Sequence, residues 1–319
     1  MIKAPMTRLL QKHIRFGNLL KGLLVITLLT MTIPGNRLAL AAGSDRPGFG
    51  FEGKQDPEDD YIYYFPLIYK GIPDDEGVIY GYVIDAGTGM GIDGAQVCYE
   101  TNCAISGSDG SYELHGLPPG FLSFDISANE YIALSESVII ALGQAVYHQF
   151  TLSKSLLYLT EVFIRIVVTW RSDQYFQTPD GLQENDLDLH MWLDNGILVE
   201  HIYSGESGDC TIFPNMCIKI DGRLGSGPET LDISELERDG IYEFGVYNVN
   251  YPYYPGYIPP LSELYVIVRI YDDTGLVSTI TNAPSGEGNF WYLFQMDEDG
   301  RVVIINCLTD YNGSKPVCS

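Results

Sequence analysis

Between Gly77 and Asp310 the chain nowhere sustains a helical period. Apolar and β-branched residues come in runs of about four to eight, and Gly, Pro or Asp-Gly breaks punctuate them. Amphipathic helices need an apolar stripe every three to four residues over several turns, so this spacing excludes a helical bundle or a βαβ fold. Side chains that alternate across a strand, with turns about every 8–12 residues, specify packed antiparallel sheets. The fold class expected is all-β, as two β-sandwich domains, with one helical turn allowed around Glu235–Glu237.

The first 41 residues have a different character. They carry six basic side chains (Lys3, Arg8, Lys12, Arg15, Lys21, Arg37) and no acid, then an apolar run from Gly22 to Ile33. Pro34-Gly35 and Ala39-Leu40-Ala41 follow. Basic stretch, short apolar core and A-x-A exit read as a secretory signal peptide over 1–41. The alternative is an uncleaved anchor, for which the apolar run is short: a span needs about 20 residues. Cleavage removes six positive charges and no negative one, taking the formal net charge from −24 to −30. Such a chain has no basic patch for nucleic acid, and an anionic bilayer repels it. The expectation is a secreted or surface-exposed protein without a membrane span after cleavage.

The cysteines agree with export. Cys98/Cys103, Cys210/Cys217 and Cys307/Cys318 stand as three close pairs. No C-x2-C pair supports a zinc knuckle or redox site. Fifteen connectivities are possible, and three local disulfides are the most economical.

Residues 42–76 form an acidic Gly/Pro-rich linker. Inside it Tyr61–Lys70 is too apolar for a free linker, and is similar to an aromatic segment found after the signal in some bacterial exported proteins. Strands are expected over Val78–Ile84, Ala95–Tyr99, Ser111–Leu114 and Phe121–Ile126, with Asp109-Gly110 as a hairpin turn. The order Gly81-x-Val83, Asp85, Thr88-Gly89, Gly94-Ala95-x-Val97, Asp109-Gly110-x-Tyr112, Gly116-Leu117-Pro118-Pro119-Gly120 resembles the carboxypeptidase regulatory-like domain. The resemblance covers about 80 residues, 77–155. It implies a seven- or eight-stranded transthyretin-like sandwich with an accessory role and no catalytic residues. Where that family often has Gly, Glu130 precedes Tyr131.

Over 156–319 a second, larger sandwich is expected. Its strands are Phe163–Trp170, Leu187–Leu193, Tyr242–Val249, Leu264–Tyr271, Trp291–Met296 and Val302–Cys307. Thr169-Trp170, the run Asp186-Leu187-Asp188-Leu189-His190-Met191-Trp192, Gly227-Pro228-Glu229-Thr230, Gly240-x-Tyr242-x-Phe244-x-Val246 and Asn289-x-Trp291-x-x-Phe294 form a second series. It resembles a YfaP-type uncharacterised bacterial secreted β-domain. The resemblance implies a jelly-roll or Ig-like sandwich and no stated activity. Members often carry an Asp pair before the G-P-E step, where this chain has Lys219 and Asp221.

Asp186, Asp188 and His190 alternate with apolar residues, which places all three on one face of a strand. With Glu229, and with Asp221 and Asp194 if loops bring them near, they form a candidate oxygen-rich Ca²⁺ site. The plain alternative is the hydrated face of a half-buried strand. His201 could meet His190 across a hairpin. Asp297-Glu298-Asp299-Gly300 lacks the later ligands of an EF-hand and reads as a hairpin turn. Tyr251, Tyr253, Tyr254 and Tyr257 lie among four prolines. A stiff loop presents tyrosine rings at low entropic cost, which suits sugar stacking or protein contacts. A self-packed Ω-like loop is the alternative.

Serine-hydrolase, zinc-protease and P-loop signatures are absent. The expected function is a non-catalytic extracellular β-sandwich protein that binds a protein or polysaccharide partner, with Ca²⁺ as the one cofactor indicated. The alternatives are an extracellular hydrolase using Asp186, Asp188, His190 and Glu229, and a structural envelope component with calcium as a staple.

Overall fold

The structure is a computed structural model. It describes residues 76–319 except 160–161, 171–174, 223–226, 255, 282, 316 and 319. The leader, the linker and the Tyr61–Lys70 segment lie outside the described residues. The described residues all fall in one compact unit.

Eight strands form the first sandwich: β1 (Gly77–Asp85), β2 (Gln96–Tyr99), β3 (Asn102–Ile105), β4 (Ser111–Leu117), β5 (Gly120–Ser127), β6 (Leu134–Ile140), β7 (Ala145–Tyr147) and β8 (Phe150–Leu152). One sheet has the order β3-β2-β5-β6. The other has β4-β1-β7, with β8 also pairing β1. The two pairings of β1 with β7 and β8 are parallel. Alternation does the sorting: on β5, Leu122, Phe124 and Ile126 are buried while Phe121, Ser123 and Asp125 face out. The inward set packs with Ile79, Val83, Val97 and Phe150 into one core.

Asp109-Gly110 does not close a hairpin, as the dipeptide suggested. It turns the chain from β3 in one sheet to β4 in the other, with Asp109 Oδ1 accepting from the Ser111 N–H at 3.0 Å. Glu130 holds φ 69°, the left-handed conformation that glycine takes without strain.

The second sandwich follows with β9 (Ile164–Thr169), β10 (Tyr175–Thr178), β11 (Gly181–Glu184), β12 (Leu187–Asp194), β13 (Val199–Ile202), β14 (Met216–Ile220), β15 (Glu229–Ile233), β16 (Ile241–Asn248), β17 (Ile267–Asp272), β18 (Gly275–Thr281), β19 (Phe290–Met296) and β20 (Val302–Thr309). Two five-stranded sheets, β13-β12-β16-β19-β20 and β14-β15-β9-β17-β18, enclose the larger core, and β10-β11 is a separate hairpin. Ile166, Val168, Leu189, Met191, Leu231, Phe244, Trp291 and Phe294 meet inside it. The all-β expectation holds throughout the described residues.

Glu235–Glu237 is a bend rather than a helical turn. Asp239 at φ 57° and the Glu237 N–H bonded to the Tyr242 hydroxyl at 2.7 Å close it directly into β16. The short 3₁₀ turns are Leu156–Tyr158 and Leu261–Glu263. Asp297–Gly300 is the hairpin turn between β19 and β20, with Asp297 Oδ1 accepting from the N–H groups of Asp299 and Arg301. All three local disulfides form: Cys98–Cys103, Cys210–Cys217 and Cys307–Cys318. Among the described residues no helix is long and apolar enough to cross a membrane.

The outer face of β15-β9-β17 carries the first sandwich. A small apolar cluster of Ala86, Leu156, Val167 and Tyr271 lies there. Thr230 donates its hydroxyl to the Ala86 carbonyl at 2.6 Å. Arg269 of β17 reaches Glu136 of β6 at 2.5 Å, and His148 meets the other Glu136 oxygen at 2.9 Å. Burial opposes the charge on Glu136, but the His148 hydrogen bond and the Arg269 charge outweigh it and hold the carboxyl below its ordinary value of 4.5. A depressed carboxylate contributes stability that is complete above the unfolded value and is lost as pH falls through the folded one. Glu136→Gln is therefore expected to cost about 3 kcal/mol at neutral pH and to flatten the acid limb below 4.5. Urea midpoints taken from neutral pH down to about pH 3 check this; an acid limb identical in the variant would refute it.

Candidate functional site

β12 is buried on both faces, because its inner side chains enter the core and its outer ones lie under an aromatic layer. Only Met191–Asp194 pair with β13, so the first half of β12 has an open edge on that side. Glu229 fills this edge. It stands at the start of β15, in the opposite sheet, opposite Val168 of β9. Gly227 makes that entry possible: it holds φ 76°, and a Cβ there would lie 2.8 Å from the Trp170 ring and 2.9 Å from the Val168 carbonyl. Glu229 Oε2 accepts from the Leu189 N–H at 2.9 Å, joining the two sheets.

The other carboxyl oxygen, Oε1, is buried and has no hydrogen-bond partner among the described residues. The Glu229 residue is 1% exposed. Ligand oxygens of Asp186, Asp188 and Glu229 lie within 4.8 Å of one another. Burial first, then the charges of Asp188, Asp221 and Asp186, push the Glu229 carboxyl well above the ordinary carboxylate range. Three acids around one desolvated oxygen repel each other, and a cation would remove both costs. The donor set is all oxygen, which fits a hard ion such as Ca²⁺. Asp188 is fixed from outside by the Ser204 hydroxyl, which donates to Oδ2 at 2.5 Å.

His190 shares the outer face with Asp188, as alternation required, and its ring meets His201. Its Nδ1 lies 2.9 Å from His201 Nε2, in the hairpin pairing where Trp192 faces His201. Trp192 and His201 stack at 4.3 Å, and Tyr311 meets His190 at 4.6 Å. Burial and the neighbouring His201 push His190 down to about 3; burial pushes His201 down to about 4. Both rings are neutral at neutral pH, so one N–H donates to the other nitrogen. The structure thus groups Asp186, Asp188 and Glu229, with Asp221 nearby, and sets His190 in the aromatic layer. Asp194 ends β12 at the far end, beside Gly196, whose N–H it accepts at 2.9 Å.

The tyrosine loop leaves β16 at the same end as the acids. The Val249 N–H donates to the Asp186 carbonyl at 3.0 Å, and Tyr247 is the cross-strand partner of Asp188. Asn248 Nδ2 donates to Pro259 O at 3.2 Å, and the Tyr254 hydroxyl donates to Asp180 at 3.0 Å. Tyr251 and Tyr254 are half-buried struts; Tyr253 and Tyr257 are 73% and 52% exposed. Two further tyrosines border the acids. Tyr203 adjoins Ser204. Tyr311 arrives from the C-terminal segment, pinned by its N–H to Asn289 Oδ1 at 2.6 Å. Burial raises the Tyr311 and Tyr247 hydroxyls, and the Asp188 charge adds to both.

No family model and no curated protein matches the chain. Among solved structures it is similar to SAV2460, a protein of unknown function, at 13% identity and TM-score 0.33, over 49% of this chain and 93% of that one. It is similar at 10% identity and TM-score 0.33 to a Streptomyces coelicolor A3(2) homologue of the telluride resistance protein TerD, over 47% and 92%. The major pilin subunit of Bacillus cereus, BcpA, is similar at 9% identity and TM-score 0.20, over 74% and 93%. TM-scores this low bear on neither mechanism nor partner.

Proposed function

We propose that this is an exported, non-catalytic β-sandwich protein that binds an extracellular partner, carbohydrate by class, through the end of its second sandwich. In this reading Asp186, Asp188 and Glu229 hold Ca²⁺ beside the tyrosine loop. The observation that carries it is Glu229: a carboxylate 1% exposed, one oxygen without a partner among the described residues, close to two further acids. Burying such a charge is costly unless a cation pairs it. The ion would also tie β12 to β15 across the core, which gives it a structural role. Three disulfides and the basic-apolar leader support an oxidising, extracellular address. The hydrolase alternative would place His190 beside the acids; its ring instead faces His201 and the residue is 1% exposed.

Terbium tests the site directly, because it replaces Ca²⁺ and is excited by nearby tyrosines. Saturable terbium emission is expected, displaced by Ca²⁺ and lost in Asp188→Ala. Emission unaffected by that substitution would place the ion elsewhere, and absence of emission would remove the reading.

A further inference from the structure

The three carboxylates do not surround their ion. Glu229 lies behind, buried, while Asp186 and Asp188 are half-exposed in front. Ca²⁺ takes about six to eight oxygens, more than these side chains supply. Its remaining positions therefore point away from Glu229, toward the solvent side of the two aspartates.

That side is built, and it is aromatic. Tyr247 stands across from Asp188 on β16, and Tyr203 stands beside Ser204, the residue that grips Asp188. The tyrosine loop starts one residue after Val249, whose N–H is bonded to Asp186. Turn bonds from Tyr253 and Tyr254 N–H to the Asn250 carbonyl, both 3.2 Å, close the loop on itself. Tyr253, 73% exposed, is thus held on a pre-ordered loop at the same end of the sandwich as the acids. An exposed ring on a rigid loop loses little entropy when it is covered, which is the condition for a binding anchor.

Resting on the cation reading above, we propose that the open face of the ion takes adjacent hydroxyl groups of a neutral sugar, with the apolar face of that sugar stacked on Tyr253. Two hydroxyl oxygens add to the coordination without adding charge, and water fills the positions left. Three carboxylates already outweigh a divalent ion, and the chain is strongly acidic overall. An anionic glycan would meet that field directly, whereas a neutral polyol does not. Tyrosine offers an apolar face and a hydroxyl together, which matches a sugar ring with one C–H face and polar edges.

The test uses the full mature chain on immobilised mannan, galactan and glucan, which between them present cis and trans diols, in calcium and in EGTA. Retention on at least one polymer in calcium is expected, with its loss in EGTA. Tyr253→Ala is expected to weaken retention roughly tenfold or more while leaving the calcium-induced rise in melting temperature unchanged. Asp188→Ala is expected to abolish both. A calcium-induced rise with no polymer retained overturns the sugar proposal and leaves the cation reading standing. Retention that survives EGTA, or survives Tyr253→Ala, overturns the proposal as well. Absence of any calcium response removes the cation reading and the sugar proposal together.

Discussion

Glu229→Gln is expected to make the calcium-free protein more stable and to leave it deaf to calcium. In the wild-type chain the carboxylate is desolvated, one oxygen is unsatisfied, and the charges of Asp188, Asp221 and Asp186 all act against it. Glutamine keeps the shape and the carbonyl that accepts from Leu189, but removes the charge. The expected gain in chelator is about 1–3 kcal/mol, the scale of one unsatisfied buried polar group. The wild type should recover a comparable amount from its ion. At a hundredfold excess over Kd, binding to the folded state adds about 2.7 kcal/mol. For a chain of this size that is a rise in melting temperature of roughly 5–10 °C. Melting curves of both proteins in calcium and in EGTA check the crossing of the two effects. If Glu229→Gln is destabilised in EGTA and the wild type ignores calcium, Glu229 is only the cap of an open strand edge.

Much of this site was legible because its parts are local. Asp186 and Asp188 sit in a strand whose alternation is plain, and Gly227-Pro228-Glu229 is a short step in which the glycine alone fits against Trp170 and Val168. What the sequence could not show was direction. Alternation puts Asp188, His190 and Trp192 on one face, yet says nothing of which neighbour each turns toward. The hairpin register, with Trp192 opposite His201, draws His190 into the aromatic layer. Ser204 bonds Asp188 from across the hairpin and Tyr311 packs on His190 from the far end of the chain, and no spacing announces a contact made through the C-terminal segment. Most of the unread strands share a cause as well. β3, β7, β8, β10, β11, β13, β14 and β15 are short, so their patterns are too brief to count, and tertiary pairing defines them; β6 and β18 are longer, went unread too, and lie at sheet edges. Glu130 is the opposite case: a residue with poor left-handed propensity is held there because the β6 and β8 neighbourhood closes the turn, with Ser155 N–H bonded to its carbonyl at 2.9 Å.

Asp232→Ala should be among the most damaging single changes outside the hydrophobic cores. Arg165 Nε and Nη2 donate to the two Asp232 oxygens at 2.7 and 2.8 Å, across the β9–β15 pairing. The side chains are 4% and 0% exposed. Burial works against the guanidinium charge, but the Asp232 hydrogen bonds and charge, with Asp85 adding to them, raise the Arg165 pKa. The pair also lies under the first sandwich: a Cβ on Gly87 would come within 2.8 Å of Arg165 Nη1. Removing Asp232 strands a buried cation, and a loss of about 3–5 kcal/mol is expected. Arg165→Met alone should cost a similar amount by stranding the carboxylate. The pair Arg165→Met with Asp232→Leu should cost far less than the sum, because two apolar side chains owe no desolvation. Urea unfolding of the four proteins closes the cycle. Strong coupling is the expected result, and single losses that simply add would show that each side chain is satisfied without the other.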